Sequence, residues 1–291
     1  QLLFNAAPYT GTDGTHTVAM GFKPDMAIMK MRGTTGGGYG SNLWDTIRGD
    51  DYYIYPGDTA GSVKSDSTSL EFVSTGVKLD NSWDGLNHSG ETYIAHGWRA
   101  NGGTTSTNDD GDADSTVQVD PSGCFSILQY EGTNDSWGNA KTVGHGLSKA
   151  PSCMLLKNID KTDEWQVFHD QVGDGGGSNA ACNSLVLNST AALYTNQSYK
   201  GWGGVMPTST VFTVDGNNAN GSGETCEVYC FANCEGFIQA GKYEGNGDAD
   251  GSFIYTGFRP AYILCKSIDS TSDWYVFDDK RDGYNPDNNE Y

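Results

Sequence analysis

Positive charge is scarce in this chain: its 291 residues carry 17 Lys and Arg against 37 Asp and Glu, a formal net charge of −20. Nucleic-acid affinity comes mostly from Lys and Arg displacing counterions, so a phosphate-binding surface has the wrong sign here, and anionic membranes are disfavoured on the same ground. No run of about 18 apolar residues exists, and no charged-then-apolar leader opens the sequence, so no membrane insertion and no nucleic-acid partner are expected. Helical periodicity is missing too, because Gly interrupts almost every window long enough to hold it. Gly-x-Ser-x-Gly, His-Glu-x-x-His and phosphate-cradling Gly-rich Lys motifs do not occur. The five His, at 16, 88, 96, 145 and 169, are scattered; His145, between two Gly, reads as a turn residue. No strand carries the alternating acids from which glycosidases take their carboxylate pair, so the acids read as solvated turn residues and no catalysis is expected.

What is present is 36% hydrophobic and 12% aromatic residues, enough to close a core, with 40 Gly, about twice the usual roughly 7%. Gly, Asn, Asp, Ser and Thr between short apolar runs is the composition of strands joined by tight turns. The chain also repeats itself. Tyr9-Thr-Gly, Tyr130-Glu-Gly and Tyr243-Glu-Gly each lead to a Gly-aromatic or Gly-Leu turn, then Pro24, Pro151 or Pro260, then four apolar residues and Lys30, Lys157 or Lys266. Trp165-Gln-Val-Phe-His169 and Trp274-Tyr-Val-Phe-Asp278 follow in the second and third copies. In the first, Leu43-Trp-Asp45 comes after a Gly-rich insertion at Gly33 to Gly40. Ser89-Gly-Glu-Thr92 and Ser222-Gly-Glu-Thr225 repeat downstream. Units of roughly 110–130 residues are too long for a solenoid and suit a small sandwich.

The fold class expected is all-β, as tandem β-sandwiches at 1–103 and 121–235, a polar linker at 104–120, and a partial third repeat at 236–291. In each Pro-to-Lys passage the apolar residues should cross the core and the Lys emerge at the rim, and Phe253-Ile-Tyr255 should be a strand. The chain opens on Gln1, which reads as processing or as a segment of something longer. The third repeat reads as cut short rather than completed by another segment.

These signatures, together with Val143 to Leu147 (Val-Gly-His-Gly-Leu), Asn87-x-x-Gly90 before Thr92-Tyr-Ile94, and Arg281-Asp-Gly-Tyr-Asn285, resemble the tandem concanavalin A-like, jelly-roll domains of bacteriophage tail-fibre and virion-appendage proteins, especially of marine and cyanobacterial phages. The resemblance spans nearly the whole chain. It implies a lectin-like fold, a location on the virion surface or otherwise outside the cell, and a non-enzymatic structural or receptor-contacting role. It also implies a third repeat that continues past Tyr291. The chain departs from the pattern in its seven Cys, all in the second and third copies.

Three kinds of site remain as candidates. Glycan binding needs an aromatic platform beside amides or carboxylates, and Trp83, Trp137 and Trp202 sit in Gly/Asn/Asp/Ser-rich loops where exposure is expected; a Trp folded back onto its sandwich is the competing reading. Calcium takes clustered oxygen ligands, and Asp110 to Asp114 and Asn246, Asp248 and Asp250 mimic the opening of an EF-hand loop, although Pro121 and Gly257 stand where its bidentate Glu belongs. Cys226, Cys230 and Cys234, spaced by four, should share one strand face, and free buried thiols are expected from synthesis in a reducing cytosol. Five Asn-x-Ser/Thr sequons, at Asn87, Asn134, Asn188, Asn196 and Asn220, are near chance frequency. The reading that follows is an extracellular structural and adhesion module of sandwiches in series. It would be homo-oligomeric, with other appendage proteins and a host surface polysaccharide as partners. The alternative is a purely structural filament or surface-layer subunit that binds no sugar, favoured by apolar patches at the repeat boundaries.

Overall fold

A computed structural model describes residues 3–32, 40–65, 69–80, 85–133, 136–172, 183–195 and 201–281. Within them the chain is almost entirely antiparallel β, with one short helix, α1 (Asn217–Asn220). The first repeat forms two sheets. A six-stranded sheet runs β1 (Phe4–Thr10), β9 (Thr92–Trp98), β3 (Met26–Met31), β4 (Asn42–Asp45), β5 (Tyr52–Ile54), β6 (Val63–Lys64), and a three-stranded sheet runs β2 (His16–Ala19), β8 (Gly76–Leu79), β7 (Leu70–Val73).

The second repeat uses the same order. Its seven-stranded sheet runs β10 (Ser106–Asn108), β11 (Ser115–Val119), β12 (Phe125–Glu131), β18 (Thr225–Phe231), β14 (Cys153–Asn158), β15 (Gln166–His169), β16 (Leu185–Val186), covered by β13 (Lys141–Gly144) and β17 (Val211–Val214). Strands β12, β18, β14, β15 and β16 thus stand where β1, β9, β3, β4 and β5 stand in the first. The third repeat contributes one hairpin, β19 (Tyr262–Lys266) with β20 (Trp274–Asp278).

The recurrent motifs now have physical reasons. Tyr9 and Tyr130 donate their hydroxyls to the carbonyls of Leu86 and Ala219. The Thr12 and Thr133 amides donate to the side chains of Asn87 and Asn220. A Cβ on the intervening Gly11 or Gly132 would stand 2.1–2.2 Å from the carbonyl oxygen of His88 or Gly221, so Tyr-x-Gly is the clasp between the first strand and the turn before the last. Asn87 and Asn220 are fully buried by this clasp and offer no glycan acceptor. Gly21, Gly146 and Gly257, at the turn before each recurring Pro, share φ of 72–78°, a left-handed conformation that favours Gly.

Several expectations are corrected. The supposed linker at 104–120 is β10 and β11, because Ser115, Val117 and Val119 alternate with Thr116 and Gln118 and pair with β12. Lys157 does not emerge: it is buried and donates Nζ to the carbonyls of Asn158 (2.6 Å) and Lys161 (3.2 Å), and burial lowers its pKa to about 8. Phe253, Ile254 and Tyr255 form no strand and are 91%, 49% and 80% exposed, since no strand covers them among the described residues. Cys234 lies beyond β18 and forms a disulfide with Cys124, 110 residues away. Cys153, Cys226, Cys230 and Cys265 are free, and burial pushes the thiols of Cys153 and Cys226 up to about 12, which leaves them chemically quiet. Cys182 lies outside the described residues.

Three cores result. Ala27, Met29, Trp44 and Ala95 pack against Val18, Leu70, Val77 and Leu79 inside the first sandwich. Leu128, Met154, Leu156, Phe168 and Val228 pack against Val143, Phe212 and Val214 inside the second. The third core lies between repeats: Met26, Leu43, Ile54 and Trp98 from the first meet Phe125, Ile127, Leu155, Trp165, Val167 and Tyr229 from the second, with Tyr262 and Trp274 from the third. The four-residue apolar runs of β3 and β14 are therefore covered on both faces of their sheets.

Leu43, in the shared core, and Leu79, in the first sandwich, are both fully buried. Leu43→Ala and Leu79→Ala are each expected to cost about 2–5 kcal/mol, with one unfolding transition in urea. A near-neutral Leu43→Ala, or separate transitions for the two repeats, would show that the shared core is not part of the folding unit. Reduction of Cys124–Cys234 should lower the thermal midpoint, since closing a loop of this size stabilises by about 5 kcal/mol on chain-entropy grounds.

Candidate functional site

The shared core carries its charged groups in knots that recur from repeat to repeat. At the end of β4, Asp45 accepts the Ile47 and Arg48 amides on Oδ1 (3.1 and 2.9 Å), and on Oδ2 the Arg48 Nε (2.6 Å) and the hydroxyl of Tyr229 from the second repeat (2.7 Å). Arg48 also donates Nη2 to the Leu43 carbonyl at 3.1 Å. At the end of β20, Asp278 accepts the Lys280 and Arg281 amides (both 2.9 Å) and Arg281 Nε, while Arg281 Nη2 reaches the Val276 carbonyl. The ring here is His96 of the first repeat, with Nε2 at 3.0 Å from Asp278 Oδ2. His96 in β9 and Tyr229 in β18 hold the same place in their sheets, opposite Ile28 and Leu155.

A second set of contacts recurs just as closely. Trp165 of the second repeat donates its indole N–H to the Tyr55 carbonyl of the first (3.0 Å), and Trp274 of the third donates to the Val186 carbonyl of the second (3.0 Å). The Asp163 and Ser272 amides bond the Thr59 and Thr190 carbonyls, and the Ser62 and Leu193 amides bond the Ile159 and Ile268 carbonyls. The second repeat therefore sits on the first as the third sits on the second. The knots add the remaining relation: the first binds the second through Asp45, and the third binds the first through Asp278. In an array that continued in series, the third repeat would not meet the first. The repeats instead surround one shared core, and the expected arrangement in series is corrected.

Electrostatics follow from burial. Burial alone would raise the Asp278 pKa, but bonds from His96 and the Lys280 and Arg281 amides outweigh it and hold it well below the usual carboxylate range. Burial lowers the His96 pKa, with Asp278 only partly offsetting it. Beside the other knot, Glu227 accepts from Gln129 Nε2 (2.7 Å), and burial, aided by the nearby Asp45 charge, pushes its pKa up. Arg48 and Asp45 have side-chain exposures of 2% and 0%. A pair so buried is costly to break, because removing one partner leaves the other charge uncompensated.

The candidate binding residues separate. Trp202 is buried at 3% exposure against Phe168 and Phe212, its indole N–H on Ser184 Oγ (3.3 Å), so the expectation that it is exposed is wrong: the Gly around it serve a turn that folds the ring into the second sandwich. Trp137 is 45% exposed, its ring lying over Gly216, which has no side chain to obstruct it. Trp83 lies outside the described residues. Asn246, Asp248 and Asp250 form an exposed loop closed on itself, with the Asp248 amide on Asn246 Oδ1, the Asp250 amide on Asp248 Oδ1, and Asn246 Nδ2 on the Asp250 carbonyl. Among the described residues no three His, Cys, Asp or Glu converge as a metal site. His145 is a buried structural residue, accepting the Leu147 amide on Nδ1 and facing the Thr208 carbonyl with Nε2. An open groove of about 560 Å³ lies where the repeats meet, lined by Gly57, Leu187 to Thr190, and Asp273 to Tyr275.

The knots escaped the sequence reading although their signal was present: Trp44-Asp-Thr-Ile-Arg48 and Phe277-Asp-Asp-Lys-Arg281 share Asp-x-x-Arg directly after an aromatic strand residue. The second repeat has His169 and Val172 in those places.

A family model covers residues 2–291, essentially the whole repeat array. The chain belongs to the family described as a domain of unknown function, DUF7483. No curated protein and no solved structure matches it.

The buried histidines should make acid destabilise the assembly, against an opposite contribution from Glu227, whose raised folded pKa lets the folded chain take up its proton first. His96, His145 and His169 all have folded pKa values lowered mainly by burial, so the unfolded chain takes up protons first as pH falls below about 6.5 and stability declines. Asp278 extends the loss below about pH 4, its unfolded value, because its folded pKa is depressed. His96→Gln should make urea-melt stability fall less steeply between pH 7 and 5 than in the parent chain; an unchanged slope would remove His96 from this account. Trp202→Ala should cost about 3–5 kcal/mol, whereas Trp137→Ala should cost well under half of that. For the 246–250 loop, a calcium titration and EDTA should leave the thermal midpoint flat; a rise with calcium reversed by EDTA would instead establish a site there.

Proposed function

We propose that the chain is a rigid, non-enzymatic structural module of an extracellular assembly, of the kind found in phage fibres and other virion appendages, built from three lectin-like repeats. The observation that carries this reading is the apolar core shared by all three repeats, with its buried Asp–Arg knots. Interfaces of this character resemble a domain core cut in two, and they suit parts that stay together. The net charge of −20 supports a surface that stays dispersed and avoids anionic cell envelopes. The resemblance of the repeat motifs to phage appendage domains supports the location.

Adhesion to a host polysaccharide is the second reading, favoured by the half-exposed indole of Trp137 on a loop anchored by the Gly138 amide to Asp215. An oligomer of such modules would multiply a weak sugar contact by avidity. A glycan-array screen of the purified protein, with and without calcium and beside Trp137→Ala, separates the two. The structural reading expects no glycan signal in any arm. Binding that is lost in Trp137→Ala would replace it with the adhesive one.

A further inference from the structure

Strands β3 and β14 are each paired on both edges, by β4 and β9 in the first repeat and by β15 and β18 in the second. Strand β19 is their counterpart, with Tyr262 to Lys266 in the places of Met26 to Lys30 and Cys153 to Lys157. Among the described residues it is paired on one edge alone, by β20. The third repeat also leaves apolar side chains in solvent, with Ile263 of β19 at 41%, Ile254 at 49% and Phe253 at 91% exposure. Ile254 corresponds to Val18 and Val143, which are buried inside their own sandwiches.

We propose that the free edge of β19 is a strand-addition site whose occupant is an extended segment of the β9 and β18 type, added antiparallel in the register those strands use. The two occupied repeats specify its chemistry. Opposite Tyr262 it carries an aromatic residue, as Trp98 and Phe231 stand opposite Met26 and Cys153. Opposite Leu264 it carries a polar ring, as His96 and Tyr229 stand opposite Ile28 and Leu155. Opposite Ile263 and Cys265 it carries small residues, as Gly97 or Cys230 and Ala95 or Val228 do. The polar ring would face the end of β15, where His169 replaces the Asp of the other knots, so this position has a neutral imidazole rather than a carboxylate to meet it. Main-chain bonds to the open edge supply affinity and the alternating side chains supply selectivity, as in other strand-addition sites.

The test uses the full chain and two synthetic probes with the sequences 90–99 and 223–232, fluorescently labelled and followed by anisotropy and amide hydrogen exchange. Saturable one-to-one binding is expected, with exchange slowed across Tyr262–Lys266. Replacing Val228 by Pro in the second probe should weaken binding at least tenfold, because proline removes a donor and breaks the strand. Absence of binding overturns the proposal. So does equal binding of the Pro probe, or binding that leaves exchange at Tyr262–Lys266 unchanged.

Discussion

Both broad sheets are apolar on two faces, and covering the second face is the constraint from which the rest of the architecture follows. In β3, Ala27 and Met29 point into the first sandwich while Met26 and Ile28 point out of it; in β14, Met154 and Leu156 point in while Cys153 and Leu155 point out. A sandwich with such an outer face is not a finished object in water. Pressing the outer faces of the repeats together buries them, at roughly 25 cal/mol for each Å² of apolar surface removed. Apolar contact has little directional preference, and here the knots supply direction. A displaced register would take from Asp45 or Asp278 the ring partner that the neighbouring repeat supplies, Tyr229 or His96, and leave a buried carboxylate short of a hydrogen bond, a costly state.

Much of this was legible in the residues. The repeat, the all-β class and the strands after each Pro follow from period, turn chemistry and the scarcity of helical windows. The relation between repeats did not, because a run such as Met26-Ala-Ile-Met29 looks the same whether one face or both are buried, and periodicity fades when both are. The same limit explains Lys157, whose charge marked the rim by convention but which lies under neighbouring carbonyls. Trp202 misled for a different reason: loop composition describes the backbone around a residue, not the direction its ring takes. Cys234 could not have been paired with Cys124 by spacing, since 110 residues separate them and the fold alone brings them together.

Head-to-tail contacts between like units either close into a ring or propagate. Here the third repeat meets the first through the same kind of knot by which the first meets the second, so the contacts turn inward. Any larger assembly containing this chain has to be joined through other surfaces, and the order of the repeats within it is fixed by bonds that a neighbouring molecule cannot reach.

That closure also bears on how the sequence can change over generations. In an assembly of three identical chains, every substitution appears at all three interfaces, and each must tolerate it. Three linked copies are released from that condition. One position can keep Asp, Arg and Tyr, another exchange Tyr for His, and a third give up the pair for His169 and Val172, each copy drifting under the demands of its own neighbour.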